Sequence, residues 1–277
     1  IYMKILLGLK GSTDPAQYRD RLQHHPDVFE FFLDEHDLTR DGLKHLQAAI
    51  EEVKTVTPRI VMHQPMRYGK WFNEMVTPEK EMPELYHFLR FSSDTLIDVA
   101  VKNDIQLLLH GSYSRQTQHF IDFYPNVETA RQVVYDRLDD YAKQGGNHIM
   151  FENSISPLFF YGDPQMDQTI YDHGYRLAFD TSHCFIKSHG SNDVLAASLA
   201  KLRDHIVHYH LVDSMGLTHD SLTLGLGRID WKRMVPLLNP AASSIFEINL
   251  SDQTKATEML TSFDYLTKIA TSLEEHR

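Results

Sequence analysis

Strand-like and helix-like segments alternate along this 277-residue chain, and the pair occurs eight times. The predicted strands are apolar runs at residues 3–9, 28–33, 59–63, 105–110, 148–152, 175–180, 206–211 and 244–248. The predicted helices cover residues 15–24, 43–56, 84–101, 127–142, 163–173, 193–202, 231–238 and 254–273. Strands that alternate with helices form parallel sheets, because parallel neighbours need a long crossover. Eight units of roughly 35 residues match the size of a (β/α)8 barrel, so we predict an α/β fold with a single domain over residues 3–277.

The composition is that of an ordinary globular chain, with 42% hydrophobic residues and a formal net charge of -11. The negative charge disfavours a broad nucleic-acid surface, although a local basic cleft can exist on an acidic protein. No apolar run approaches the roughly 18 residues that span a bilayer, and the N-terminus lacks a basic segment followed by an apolar one. The single cysteine, Cys184, cannot form an internal disulfide, which is typical of a reducing compartment. We therefore expect a cytoplasmic protein without a membrane span.

Six successive predicted strands end in a residue that can bind a metal or transfer a proton. These residues are His63, His110, Glu152, Asp180, His210 and Glu247. Active sites of (β/α)8 barrels lie at the carboxyl ends of the strands, and buried strands otherwise consist mostly of Val, Ile and Leu. Any one of the six has a simpler interpretation as a hydrogen-bonded strand end, and Asp180 has one as the cap of the following helix. The occurrence of all six favours a shared site.

Two of these carboxylates, Glu152 and Glu247, follow apolar strand residues, where an unpaired carboxylate is costly to bury. A divalent cation shared with Asp180 and His210 would offset this cost for the whole set. A mixture of carboxylate and imidazole ligands suits Mn, Zn, Co or Fe better than Ca. The residues therefore predict a transition-metal or zinc site at the mouth of the barrel.

The seventh predicted strand carries two histidines, and His210 is the one nearer its carboxyl end. His208 lies two residues earlier and points to the same side, so we interpret it as a core histidine one layer deeper. Asp213 and Ser214 follow the strand, and two interpretations of them stay open. They either orient His210 from behind or form the turn that ends the strand.

The motifs FENS, FDTSHCF, HLVDS, GLGRIDW and FEI follow one another on successive predicted strands. In this order they resemble the xylose-isomerase-like TIM barrel superfamily, from about residue 3 to residue 269. This superfamily includes sugar isomerases and epimerases, inosose dehydratases and the endonuclease IV type of DNA-repair enzyme. The resemblance implies a metal site of Glu152, Asp180, His210 and Glu247, which is the set that the strand ends indicate independently.

The motifs MHQP and LHGS, together with DTSHCF, look more like the endonuclease IV branch. That similarity implies that His63 and His110 hold a second ion together with Glu152. A third ion in that branch requires an Asp-x-His pair before a glycine-rich turn. Residues 219–221 read His-Asp-Ser at this place, so the pair is not intact, and the resemblance to this branch leaves a site of two or three ions open.

Two enzymatic functions follow from this resemblance. The first is a divalent-metal-dependent isomerase or epimerase that acts on a small sugar, polyol or sugar phosphate, with one or two Zn, Mn or Co ions per chain. Glu152 and Glu247 would then exchange a carbon-bound proton through an enediolate, and His183 would stabilise the developing charge. Arg228 and His219 are candidate substrate contacts, although a surface salt bridge is an alternative role for Arg228.

The second function is an endonuclease IV-like phosphodiesterase that acts on abasic-site DNA. Strong binding to a phosphate backbone needs several Lys or Arg side chains, and near the rim the sequence offers only Arg67, Arg115 and Arg228. A catalytically inactive barrel that serves as a binding module is a third interpretation, and the complete metal set argues against it. The sequence does not determine the substrate, the metal or whether the chain forms a homo-oligomer.

Overall fold

The computed structural model describes residues 4–275, and a parallel sheet of eight strands lies at its centre. In chain order the strands are β1 (Gly8–Gly11), β2 (Val28–Phe32), β3 (Ile60–His63), β4 (Arg67–Tyr68), β5 (Trp71–Phe72), β6 (Gln106–His110), β7 (Ile149–Glu152), β8 (Leu177–Asp180), β9 (Ile206–Leu211) and β10 (Ser243–Phe246). The sheet order is β1-β2-β3-β6-β7-β8-β9-β10, while β4 and β5 form a separate antiparallel hairpin. Because β1 also contacts β10, the sheet curls into a nearly closed barrel.

Helices cover the outside of the barrel. They are α1 (Pro15–Leu22), α2 (Arg40–Lys54), α3 (Pro83–Asn103), α4 (Thr117–Ile121), α5 (Val127–Gly145), α6 (Pro164–His173), α7 (Thr181–Lys187), α8 (Asn192–Leu202), α9 (Trp231–Met234) and α10 (Thr257–Glu275). In α2, for example, Leu46, Ile50 and Val53 form one buried face, the spacing expected of an amphipathic helix. Over residues 4–275, no helix combines the length and the apolar character that crossing a membrane requires. The predicted (β/α)8 barrel is confirmed.

The first strand lies further along the chain than the apolar run predicted. That prediction covered residues 3–9, of which Met3 lies outside the described residues, whereas β1 begins at Gly8. The amide of Leu7 donates to the Asp27 side chain at 2.9 Å instead of to a neighbouring strand. A Cβ at position 8 would lie 1.8 Å from the carbonyl oxygen of Ser244 in β10. The barrel therefore closes at a glycine because no side chain fits between these two strands.

Other differences from the prediction concern the segments that follow the strands. The hairpin β4–β5 and the short helices α4 and α7 lie in segments that the prediction treated as loops. The last helix begins at Thr257, three residues later than the predicted start at Thr254. His276 and Arg277, at the end of the predicted domain, lie outside the described residues, so the domain limits stay a prediction.

The interior of the barrel is layered, because successive side chains of a strand point to opposite faces. A small apolar cluster inside the barrel consists of Val61, Leu108, Met150 and Ala178. Each of these residues precedes a predicted site residue by two positions on the same strand. The next inward-facing positions toward the carboxyl ends are polar and buried, and these are His63, His110, Glu152 and Asp180. The polar strand ends therefore lie together on an apolar floor.

Candidate metal centre

Four strand-end side chains converge on one point at the carboxyl end of the barrel. His210 Nδ1 lies 3.0 Å from Glu152 Oε1, 2.8 Å from Glu247 Oε2 and 4.0 Å from Asp180 Oδ2. One ligand atom from each of the four residues lies within 4.8 Å of the others. We call Glu152, Asp180, His210 and Glu247 the four-residue centre. It brings together the set that the sequence predicted, while its role as a metal site stays a prediction.

The backbone around Asp180 explains how this carboxylate is held. Asp180 is the N-cap of α7, and its Oδ1 accepts hydrogen bonds from the His183 amide and the Ser182 hydroxyl, both at 2.8 Å. Its amide donates to Asn153 Oδ1 at 2.8 Å, and Asn153 Nδ2 donates to its carbonyl oxygen. One oxygen of Asp180 caps the helix and the other faces His210, so the cap leaves room for the site interpretation, which stays a prediction.

A second group of possible ligands adjoins the four-residue centre and shares Glu152 with it. His110 Nε2 lies 2.9 Å and His63 Nε2 lies 3.5 Å from Glu152 Oε2. The two Nε2 atoms lie 3.1 Å apart, and His63 Nδ1 lies 2.8 Å from the carbonyl oxygen of Gln64. Donation from Nδ1 to that carbonyl leaves a lone pair on His63 Nε2 that faces Glu152 and His110, as a metal ligand would.

A buried carboxylate, Glu74, holds the loop next to the second group in place, and the sequence analysis missed it. Glu74 accepts hydrogen bonds from the Ser112 and Thr117 hydroxyls and from the Tyr113 amide, and burial raises its pKa. The Tyr113 ring stacks on His110 with centroids 4.3 Å apart. Glu74 thus fixes the loop after β6, which covers His110.

Opposite charges dominate the electrostatics of the four-residue centre. Burial alone would raise the pKa of Glu152, but His110 and His210 hold it well below its usual range. Burial likewise opposes the charge of Glu247, yet His210 and Lys10 hold its pKa well below the usual range. Burial would lower the pKa of His210, and Glu152 and Glu247 together raise it well above the usual range. These charges favour the ionised forms of Glu152 and Glu247, which suit a metal ligand or a base.

The buried atoms of the centre also test whether its residues suit a cation. Among the described residues, both Glu152 oxygens and His210 Nδ1 are buried without a hydrogen-bond partner. They approach to 3.0 Å without the alignment that a hydrogen bond needs. Buried polar atoms are rarely left unpaired, because the lost hydration is costly. A divalent ion with oxygen and nitrogen ligands would satisfy all three atoms, so the residues fit a metal.

His183 and His219 lie beside the centre and face each other. Their Nε2 atoms are 2.8 Å apart, and His183 Nδ1 is 2.9 Å from the carbonyl oxygen of Asn153. Burial opposes protonation of both rings. Asp180 and Glu152 nevertheless raise the pKa of His183, whereas the neighbouring His183 further lowers the pKa of His219. The pair therefore suits one imidazolium donor next to one neutral imidazole.

A cavity of about 390 Å³ opens above these side chains. Its lining combines the histidines, one carboxylate of the centre, two arginines and apolar loop residues: His63, Met66, Arg67, Phe72, His110, Tyr113, Ser114, Arg115, Ser154, Ile155, His183, His219, Ser221, Glu247, Ile248 and Asn249. Arg228 is exposed and is not part of this lining. The volume is in the range of small-molecule sites.

The loop after β9 resolves the two interpretations of Asp213. Its carboxylate accepts hydrogen bonds from the amides of Ser214, Gly225 and Ile229 and from Trp231 Nε1. Asp213 therefore organises the loop between β9 and α9, which is the turn interpretation. Asp213 does not contact the second ring nitrogen of His210. That nitrogen, Nε2, points away from the centre and faces a residue of β2.

That residue is Glu30, and it was missed by the sequence analysis together with Lys10. Glu30 Oε2 lies 3.0 Å from both His208 Nε2 and His210 Nε2, and its Oε1 lies 3.3 Å from Lys10 Nζ. Lys10 also forms an ion pair with Glu247. A charged residue within the apolar run VFEFF was the available signal for Glu30. His208 is buried below His210, as predicted for a core histidine.

No protein-family model and no curated protein matches this chain. A D-tagatose 3-epimerase-like protein of known structure matches with a TM-score of 0.71 and 17% identity, over 97% of this chain and 98% of that chain. The 3-keto-D-glucoside 4-epimerase YcjR from E. coli matches with a TM-score of 0.62 and 15% identity, over 94% and 98% of the two chains. The crystal structure of SacUVDE matches with a TM-score of 0.57 and 12% identity, over 95% of this chain and 98% of that chain. The chain shares their fold.

This similarity confirms the predicted resemblance to xylose-isomerase-like TIM barrels at the level of the fold. The matches cover nearly the whole of both chains. At identities of 12% to 17%, they do not transfer an activity or a substrate to this chain.

Proposed function

We propose that this chain is a divalent-metal-dependent isomerase or epimerase that acts on a small sugar, polyol or sugar phosphate by proton transfer. The observation that carries the proposal is the pair of carboxylates, Glu152 and Glu247, that approach the same nitrogen of His210 from two sides. Epimerisation next to a carbonyl requires one base that removes a proton and one acid that returns it. An ionised carboxylate can remove the proton, and the carboxylic acid that this step forms can return it to the neighbouring carbon in an isomerisation; in an epimerisation the other carboxylate starts the cycle protonated and returns a proton to the opposite face.

The two carboxylates differ in their access to substrate. The Glu247 side chain is 30% exposed and lines the cavity, whereas Glu152 is fully buried behind the histidines. Glu247 is therefore our first candidate for the base that takes the carbon-bound proton. Glu152 would be the second carboxylate of the exchange, and it contacts His110, which lines the cavity.

The His183–His219 pair lies in the wall of the cavity. When His183 is protonated, its Nε2–H faces His219 Nε2 at 2.8 Å, and a substrate oxygen that takes the place of His219 would accept this hydrogen bond and have its developing negative charge stabilised. His219 would contact a neighbouring hydroxyl group. Arg228, which is exposed outside the cavity lining, has no role in this mechanism.

Glu152, Asp180, His210 and Glu247 would hold the divalent ion. When bound, such an ion polarises a carbonyl group and acidifies the adjacent C–H bond. The mixed carboxylate and imidazole set suits Zn, Mn or Co. Metal-binding measurements on the purified protein would distinguish these ions.

The test is exchange of carbon-bound hydrogen in deuterated water. Purified protein with added Mn or Co is incubated with a panel of ketoses, and deuterium incorporation is measured by NMR or mass spectrometry. We expect incorporation into at least one ketose, with loss in Glu247→Gln and Glu152→Gln. Asp167→Asn, which neutralises a buried carboxylate outside the cavity lining, is the matched control and should retain exchange. Equal incorporation by the wild type and the two glutamine variants would refute the proposal.

A phosphodiester hydrolase of the endonuclease IV type is the second candidate, and the group His63, His110 and Glu152 favours it. Two adjacent ion sites that share one carboxylate are a common arrangement for phosphate-ester hydrolysis. Against it, the cavity lining contains only two cationic side chains, Arg67 and Arg115, where a phosphate backbone needs several. Two bound zinc ions per chain together with incision of an abasic-site duplex would support this candidate, and intact duplex would eliminate it.

A further inference from the structure

Glu30 lies below the four-residue centre, in the middle of β2, and its side chain is fully inaccessible to solvent. One of its oxygens, Oε2, lies 3.0 Å from both His208 Nε2 and His210 Nε2. His208 and His210 are two residues apart on β9 and therefore point to the same side of the strand. A single carboxylate oxygen thus anchors both rings.

These contacts define where the His210 proton resides. Glu30 Oε1 lies 3.3 Å from Lys10 Nζ and Oε2 lies 3.0 Å from two imidazole nitrogens, which are the surroundings of a carboxylate. A carboxylate only accepts hydrogen bonds, and each histidine must therefore donate its Nε2–H to it. With Nε2 committed to Glu30, the nitrogen that His210 presents to Glu152 and Glu247 is Nδ1.

Lys10 supplies the counter-charge. Its Nζ lies 3.3 Å from Glu30 Oε1, and it also contacts Glu247. Glu30 Oε1 has no hydrogen-bond partner among the described residues, although this ammonium group lies close by. A buried carboxylate without a neighbouring cation would tend to take up a proton and would then compete for the histidine nitrogens. The ammonium group of Lys10 favours the ionised form.

We infer that Glu30 is a positioning residue for the four-residue centre, which holds the His210 ring with Nδ1 directed at Glu152 and Glu247. The inference rests on the proposed metal-dependent function and goes beyond it, because it assigns a role to a residue outside the ligand set. A metal-bound histidine typically donates its second ring N–H to a carboxylate, and loss of that carboxylate weakens metal binding about 10–100-fold.

The Glu30–His208–His210 group is not assigned an ion of its own. Both imidazole nitrogens approach the same oxygen at 3.0 Å, which is the geometry of two N–H groups that share one acceptor. The positive charge next to Glu30 is already provided by Lys10.

The test compares wild type with Glu30→Gln by two measurements. The first is zinc affinity, measured with zinc chloride by competition against a chelator. The second is the His210 Nε2–H signal in ¹⁵N-histidine NMR of the metal-free protein, together with its protection from solvent exchange. We expect Glu30→Gln to weaken zinc binding about 10–100-fold and to reduce the protection of this signal, because a neutral amide oxygen is a weaker acceptor than a carboxylate. Asp167→Asn, the matched buried carboxylate, should leave both unchanged.

Two further variants keep the test informative. In Lys10→Arg, which keeps a cation beside Glu30, the Nε2–H signal should stay protected, because Glu30 still accepts from His210, and its loss would overturn the assignment to Glu30. If Glu30→Gln does not fold, the double variant Lys10→Met/Glu30→Gln removes both charges together and should show the same two effects. Retention of wild-type zinc affinity and of the wild-type protection of the signal without Glu30 would overturn the inference. If the wild type binds no zinc, the proposed function fails, while the NMR comparison still decides the role of Glu30.

Discussion

Asp167 provides a quantitative test of how burial controls a carboxylate in this fold. It lies in α6 with 3% of its surface exposed, and its Oδ1 accepts a hydrogen bond from the Gly162 amide at 3.1 Å. This contact ends the loop after β7, which carries Asn153 and two residues of the cavity lining. Burial raises the pKa of Asp167 to about 6 from an ordinary value of 3.8.

The difference in pKa has a definite sign and size. Between about pH 4 and pH 6, Asp167 keeps its proton in the folded protein but loses it in the unfolded chain. The carboxyl group therefore stabilises the folded state least at high pH, where it is ionised in both states. Its contribution is fully present below about pH 4, and is lost as the pH rises through about 6. A shift of about two pKa units corresponds to roughly 3 kcal/mol in the free energy of unfolding. Asp167→Asn keeps an acceptor for the Gly162 amide and removes the charge.

We therefore expect Asp167→Asn to be more stable than the wild type by roughly 3 kcal/mol above about pH 7, with the difference vanishing near pH 4. Urea unfolding of both proteins across this pH range measures the difference in the free energy of unfolding. The other titrating groups are the same in both proteins, so their contributions cancel in this difference. Asp172→Asn, which removes an exposed carboxylate from the same helix, is the matched control. A difference between wild type and Asp167→Asn that does not change with pH would refute the reasoning.

Three further predictions follow from the barrel and its centre. Excess zinc at about 100 times its Kd should stabilise the wild type by about 2.7 kcal/mol and raise its Tm by roughly 5–10 °C. In Glu152→Gln this shift should disappear, and an equal shift in both proteins would contradict the assigned ligand. Gly8→Ala should cost at least about 3 kcal/mol in urea unfolding, because its Cβ would lie 1.8 Å from the Ser244 carbonyl oxygen. A loss below about 1 kcal/mol would show that the strands can separate freely. Asp213→Asn should cost about 2–4 kcal/mol and change the fluorescence of Trp231, whose indole N–H donates to it; unchanged stability and fluorescence would argue against Asp213 as the organiser of its loop.

The sequence by itself determined the class of fold and most of the candidate site. The eight strand-and-helix units are encoded locally, because apolar periodicity and turn residues act over a few neighbours. The six polar strand ends were predictable for a related reason. In a parallel barrel every strand ends on the same rim. The position of Glu152 or His210 at the end of a predicted strand is therefore enough to predict that it belongs to the site.

Only the tertiary structure decided which other charges reach that site. Glu30 lies within β2 and Lys10 near the end of β1, and their contacts with His210 and Glu247 join residues about 180 to 240 positions apart in the chain. Such contacts depend on the stagger of the strands around the closed barrel. Closure itself depends on Gly8, whose missing side chain makes room for the backbone of β10. Local patterns do not encode these non-local distances, whereas the folded barrel brings the charges within 3.0 to 3.3 Å of one another.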